Sequence, residues 1–221
     1  MLDSNIDSVS KIYVIFGLPG AGKGTCSQAL KERRGYEHLS LGDFLRKEVN
    51  NESEIGIQYK DVILNGLQLI PSHVVQGIIK NKFLETIQYK KNLIVDGFPR
   101  TIEQAEFLVT FTKQIGINPH YVHISVDPEL AIKRLLTRES CDVCAHVYMI
   151  IPPKVPGICD LCGGTLSKRL TDNRERILER MQLFEKTTRT AIDYFVTNKM
   201  MITIDANKPL KELVEEFLKF V

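Results

Sequence analysis

The chain has 221 residues, 43% of them hydrophobic and 25% charged, a globular balance that excludes disordered, fibrous and disulfide-scaffold classes. Lys and Arg number 29 against 27 Asp and Glu, a formal charge of +2; with no long basic run, nothing here matches a nucleic-acid backbone. The first ten residues, MLDSNIDSVS, carry no basic or apolar leader segment, and no stretch approaches 18 consecutive apolar residues, so the reading is a soluble cytoplasmic protein with no membrane partner.

In chain order, residues 11–16 (KIYVIF) form a short apolar strand that ends in a glycine-rich turn, and residues 23–34 continue as a helix. Similar runs at 92–96 (NLIVD), 120–126 (HYVHISV) and 200–204 (MMITI) alternate with helical stretches, the pattern of a parallel α/β sheet. Between the first two runs, residues 42–88 read as several helices broken at Gly66 and Pro71, an inserted subdomain. A second insertion, Arg138 to Thr171, holds four of the five cysteines and reads as a separate metal-pinned lobe. Residues 172–197 and 207–220 read as helices on either side of the last strand.

The first turn, Gly17 to Thr25, reads GLPGAGKGT, with Gly17 and Gly22 five apart and Lys23 next, the spacing of a phosphate-binding loop. Glycines let backbone N–H groups approach phosphate oxygens, the following helix presents its positive end, and Lys23 adds a point charge. The hydroxyl that usually follows the lysine is displaced by one position, Gly24 preceding Thr25. Cys26 lies in the first helical turn, where the dipole lowers a thiol pKa; a small packing residue is the plainer reading.

Cys141, Cys144, Cys159 and Cys162 form two CxxC pairs with 14 residues between them, the spacing of a structural four-thiolate Zn²⁺ site with no coordination position open for catalysis. His146 is an alternative ligand, but four sulfurs already complete the shell. Metal binding releases roughly 10–16 kcal/mol in small zinc domains, enough to order a lobe without a core of its own.

The GxPGxGKGT form of the loop, with DGFPR at Asp96 to Arg100 as a second signature, resembles the adenylate kinase family. The likeness continues through SLGDFLR (Gly42, Asp43, Arg46), Gln104, the arginines of the later insertion and DANKP at Asp205 to Pro209. It implies a P-loop core with a parallel five-stranded sheet over 1–39, 71–137 and 172–221. A helical monophosphate-binding subdomain would occupy 40–70, and a zinc-binding lid 138–171. The implied activity is reversible Mg²⁺-dependent transfer of the ATP γ-phosphoryl group to AMP, giving two ADP, by a monomer. Such chemistry needs cations around the transferring group rather than a carboxylate base.

By that resemblance Lys23, Arg100, Arg134, Arg138, Arg169 and Arg180 are catalytic, with Asp96 holding water on Mg²⁺. ATP would be held by Gly17, Gly20, Gly22, Lys23, Gly24, Thr25, Arg134 and Lys208. AMP would lie against Ser40, Leu41, Arg46, Leu69, Ile70, Gly97, Arg100 and Gln104. Three departures stand out. Leu41 replaces the common Thr or Ser and offers a base no hydrogen bond, so selection of adenine over uracil or cytosine falls to the Gln104 amide. One extra residue between Gly66 and Pro71 shifts the assignments of Leu69 and Ile70. Thr171 replaces the first of two aspartates, which leaves Asp172 alone and implies weaker lid closure. The alternatives are a UMP/CMP kinase, a GTP:AMP phosphotransferase, or a zinc-ribbon nucleic-acid module with an ATP switch; the balanced charge argues against the last.

Overall fold

The computed structural model describes residues 10–144, 146–149 and 152–221. Most of the N-terminal stretch read as lacking a leader, residues 1–9, lies outside the described residues. In chain order, β1 (Ile12–Phe16) passes through α1 (Lys23–Arg34) to β2 (Glu37–Ser40), then α2 (Leu41–Asn50), α3 (Glu54–Gln58), α4 (Lys60–Asn65), α5 (Ser72–Gln88) and β3 (Leu93–Asp96). Next come α6 (Ile102–Gln114), β4 (His120–Ser125) and α7 (Pro128–Leu136), then the small strands β5 (Glu139–Cys141), β6 (Val147–Tyr148) and β7 (Leu166–Ser167). The chain closes with α8 (Arg174–Lys186), α9 (Thr188–Thr197), β8 (Met201–Asp205) and α10 (Leu210–Phe220).

The main sheet has the order β2-β3-β1-β4-β8, with every neighbouring pair parallel. All five residues of β1 are buried, as a strand covered on both faces requires. In register, Val14 sits beside Val95 on one side and Tyr121 on the other, and all three are buried. Each such side chain contributes roughly 1.5–3 kcal/mol on burial. Four of the five strands match apolar runs in the sequence. The other, β2, is half polar (EHLS) with only Leu39 buried, so no apolar run marks it.

The helical stretch after β2 breaks at residues 51–53 and at Tyr59 without glycine or proline, and again at Gly66 and Pro71 where the sequence marks it. Gly66 ends α4 in the left-handed conformation at φ 65, its N–H bonded back to the Val62 carbonyl, and Pro71 precedes α5. Residues 172–197 form two helices rather than one, divided at Thr187. Ser40 and Ile15 both lie opposite Asp96 in register, so the carboxyl ends of β1, β2 and β3 open at one level, where ligands bind in sheets of this kind. The three small strands form an antiparallel sheet, β6-β5-β7, around a separate cluster of Cys141, Tyr148, Cys159 and Leu166. Among the described residues no helix is long and apolar enough to cross a membrane.

Candidate active site

The loop after β1 is shaped by what its glycines permit. Gly17 has φ 147, and a Cβ there would lie 2.4 Å from the Ile124 carbonyl oxygen, so any side chain would push β1 from β4. Gly24 is different: a Cβ there would meet no atom within 4 Å, and the residue faces the cavity. That space is free for a ligand. α1 starts at Gly22 with no side-chain cap and no acidic residue in its first turn, whereas Ser40, Thr101, Asp127 and Asn173 cap α2, α6, α7 and α8. Its orphan N–H groups and positive dipole end form an anion site. Lys23 bonds the Gly17 and Leu18 carbonyls at 2.9 and 3.1 Å and stands 4.0 Å from Asp96.

Six cations, Lys23, Arg46, Arg100, Arg138, Arg169 and Arg180, line this cavity against two carboxylates, Asp43 and Asp96. Like charges at this density repel one another and attract an anion. Burial lowers the Lys23 pKa; Asp96 pulls the other way, and Arg100, Arg180 and Arg138 add to the lowering. Burial and then Arg138 draw both Arg169 and Arg180 down to about 10. Both guanidiniums remain protonated near neutrality. The counter-charges are shared: Asp172, 1% exposed in its side chain, accepts from Arg138 Nε and Nη2 at 2.7 and 2.6 Å and from Arg180 Nη1 at 3.3 Å. Thr171 Oγ1 accepts a further bond from Arg180 at 3.4 Å, so a hydroxyl takes a donor beside the single aspartate.

Asp43 joins the two inserted segments. It pairs with Arg46 on its own helix and with Arg169 at 3.1 Å, 126 residues away. Burial would raise its pKa, but Arg46, Arg169 and the hydrogen bonds of Ser40 and Arg46 hold it down at about 2. Val147 and Met149 of the small lobe line the same cavity, so the lobe covers it. His38 sits on the wall with a buried Nε2 that has no partner among the described residues.

A second cavity of about 320 Å³ adjoins the first and shares Arg46, Arg100, Arg169 and Arg180 with it. Leu41, Leu45, Val62, Ile63 and Val75 give it apolar walls, Ile70 and Gln104 also line it, and Leu69 and Gly97 line both cavities. The volume lies within the range of ligand pockets. Leu69 and Ile70 face this space despite the extra residue before them. The Gln104 amide, 3% exposed, is oriented: its Oε1 accepts the Arg100 N–H at 2.8 Å and its Nε2 lies 3.4 Å from the Ser72 hydroxyl.

Three residues expected at the nucleotide line neither cavity. Arg134, 1% exposed, lines neither cavity; its guanidinium donates to the carbonyls of Ala21, Ala206 and Lys208 at 3.2, 2.9 and 2.8 Å, pinning the phosphate loop to the segment after β8. Lys208 turns its ammonium to Glu216 at 2.5 Å. Thr25 lines neither cavity. Burial pushes the Cys26 thiol up to about 12, which makes it the packing residue and not an activated nucleophile. The carboxylate of Asp43 and the imidazole of His38 received no role from the sequence. Asp43 stood inside the SLGDFLR motif, but only its contact with Arg169 reveals what it does.

The four paired cysteines converge, their sulfurs all within 4.8 Å of one another, with Cys141–Cys162 at 3.5 Å and Cys144–Cys159 at 3.6 Å. Tetrahedral Zn–S bonds of about 2.3 Å require sulfurs about 3.8 Å apart, so these residues fit one such ion.

A family model described as adenylate kinase matches residues 15–200. An adenylate kinase from Thermosipho melanesiensis is 34% identical over 211 residues, 94% of this chain and 98% of its own. One from Caldanaerobacter subterraneus is 37% identical over 93% of this chain and 94% of its own, and one from Borrelia turicatae 36% over 94% and 99%. With the phosphate loop, the cation-lined cavity and this near end-to-end similarity all in agreement, the chain belongs to the adenylate kinase family.

Proposed function

We propose that this chain transfers the γ-phosphoryl group of ATP to AMP, reversibly and with Mg²⁺, giving two ADP. The observation that carries the reading is one cluster of six cations, four of which, Arg46, Arg100, Arg169 and Arg180, line both of two adjoining cavities, a geometry for two nucleotides whose phosphates meet. Lys23 and the α1 N-terminus hold the donor phosphates. Arg46 and Arg100 hold the monophosphate, and Arg138, Arg169 and Arg180 neutralise charge on the three oxygens of the transferring group. Mg²⁺ arrives with ATP and supplies charge neutralisation between phosphates; Asp96, beside Lys23, is the carboxylate placed to hold its water shell. The small lobe closes over the reacting groups as a lid and keeps water from taking the phosphoryl group.

Gln104 presents paired donor and acceptor atoms to adenine, while Leu41 and its apolar neighbours supply the flat walls. Cys141, Cys144, Cys159 and Cys162 hold structural Zn²⁺. The chain works as a cytoplasmic monomer. A coupled assay of ADP formation tests the reading, with ATP or GTP as donor and AMP, UMP, CMP or GMP as acceptor. ATP with AMP is expected to exceed every other pair by at least about a hundredfold in kcat/KM, the size of a buried amide mismatch. A higher rate with a pyrimidine monophosphate or with GTP would replace it by one of the alternatives. Failure of two adenosines joined through five phosphates to compete with ATP would remove the two-nucleotide geometry itself.

A further inference from the structure

The donors around the four sulfurs are not equivalent. Val143 and Cys144 direct backbone N–H groups at Cys141 Sγ, at 3.4 and 3.5 Å. Among the described residues one non-cysteine side chain also bonds a sulfur. The Tyr148 hydroxyl oxygen accepts the Asp160 N–H at 2.7 Å and lies 3.7 Å from Cys159 Sγ. A phenol carries a single proton. The Asp160 amide is itself a donor, so that proton cannot go there, and the Cys159 sulfur is the acceptor beside it.

Burial makes the assignment matter. Tyr148 is 9% and Cys159 2% exposed, so water does not freely replace either partner, whereas Cys144 and Cys162 are exposed. The His146 ring stands edge-on to the tyrosine ring at 4.8 Å and limits its rotation. Tyr148 lies on β6, between the two CxxC turns in sequence, so its hydroxyl ties that strand to the second turn. Four thiolates around one divalent ion leave a local charge of −2, and a donated proton at one sulfur disperses part of it.

We propose that Tyr148 is a positioning residue of the metal centre, its hydroxyl oriented by the Asp160 N–H and hydrogen-bonded to the Cys159 thiolate so that this sulfur is held in its ligating place. The inference rests on the structural Zn²⁺ reading above. Competition of Zn²⁺ against a chromophoric chelator is the measurement, on the whole chain and on Tyr148→Phe, whose core folding is checked by circular dichroism. The variant is expected to bind Zn²⁺ about 10- to 100-fold more weakly, and the Co²⁺-loaded form to show a shifted sulfur-to-metal charge-transfer band. A merely structural tyrosine would lower the melting temperature and leave affinity and band unchanged, which overturns the inference. If Tyr148→Phe does not fold, the ¹¹³Cd-loaded wild-type chain decides: a Tyr148 hydroxyl proton coupled to cadmium through sulfur supports the bond, and its absence refutes it. A wild-type chain that takes up no Zn²⁺ would overturn the metal reading and this inference together, whereas tight wild-type binding equalled by the variant overturns the inference alone.

Discussion

The phosphate loop and the cysteine lobe are both turn-rich segments beside the same cavity, but they are held in place by different forces. The loop hangs between β1 and α1, whose buried residues belong to the main core, and Arg134 fastens it from beneath. Among the described residues the lobe has a separate apolar cluster of four, two of them cysteines. Burial of that little apolar surface cannot order about thirty residues against their conformational entropy. The lesson is that damage to the loop should register in turnover, and damage to the lobe in stability.

Metal removal sets this contrast at its widest. Chelation, or Cys162→Ala, should strip the lobe of an ordering free energy of roughly 10–16 kcal/mol, and calorimetry should show the lid melting early while the sheet persists; identical scans with and without chelator would erase the difference between the regions. Lys23→Met is the converse case. Turnover should drop by about a thousandfold, or about 4 kcal/mol in barrier, with the melting temperature within a few degrees of wild type, and an unchanged rate would remove the lysine from the chemistry.

Arg134→Met sharpens the boundary between the two kinds of damage. Three carbonyls, two of them in buried bonds, lose their donor, so urea denaturation should report a loss of about 3 kcal/mol, with kcat of the folded fraction changed less than tenfold. A collapse of kcat at full stability would return Arg134 to the triphosphate. Asp43→Asn has the smallest expected effect. The Asp43 carboxyl is held at about 2, below its ordinary 3.8, so its contribution is complete above about pH 4 and is lost as the pH falls through 2. The variant should flatten that acid limb of the melting curve by no more than about 1 kcal/mol, since a third of the side chain is exposed.

What the sequence disclosed was local. The phosphate loop and the CxxC pairs declare themselves because their function needs fixed spacing over a few residues, and the buried strands declare themselves by unbroken apolar runs. β2 escaped this reading because three of its four residues, Glu37, His38 and Ser40, are polar. Arg134 sits where a phosphate ligand is expected in the chain, and nothing in its neighbours tells that carbonyls from two distant segments converge on its guanidinium. Likewise the Asp43–Arg169 pair spans 126 positions and exists only once both insertions are folded onto the core. The division at Thr187 also lacks a proline or glycine to announce it.

The excess of cations in the cavity has a consequence for how the protein meets its medium. Even with Asp172 set beside Asp43 and Asp96, three carboxylates face six positive groups, and the remaining excess repels itself across distances comparable to the screening length of about 8 Å at physiological ionic strength. Added electrolyte relaxes that strain in the vacant protein, yet it also competes with nucleotide for the same guanidinium forks. Salt therefore works in two opposed senses at this site, quieting the repulsion among the cations while weakening their hold on phosphate.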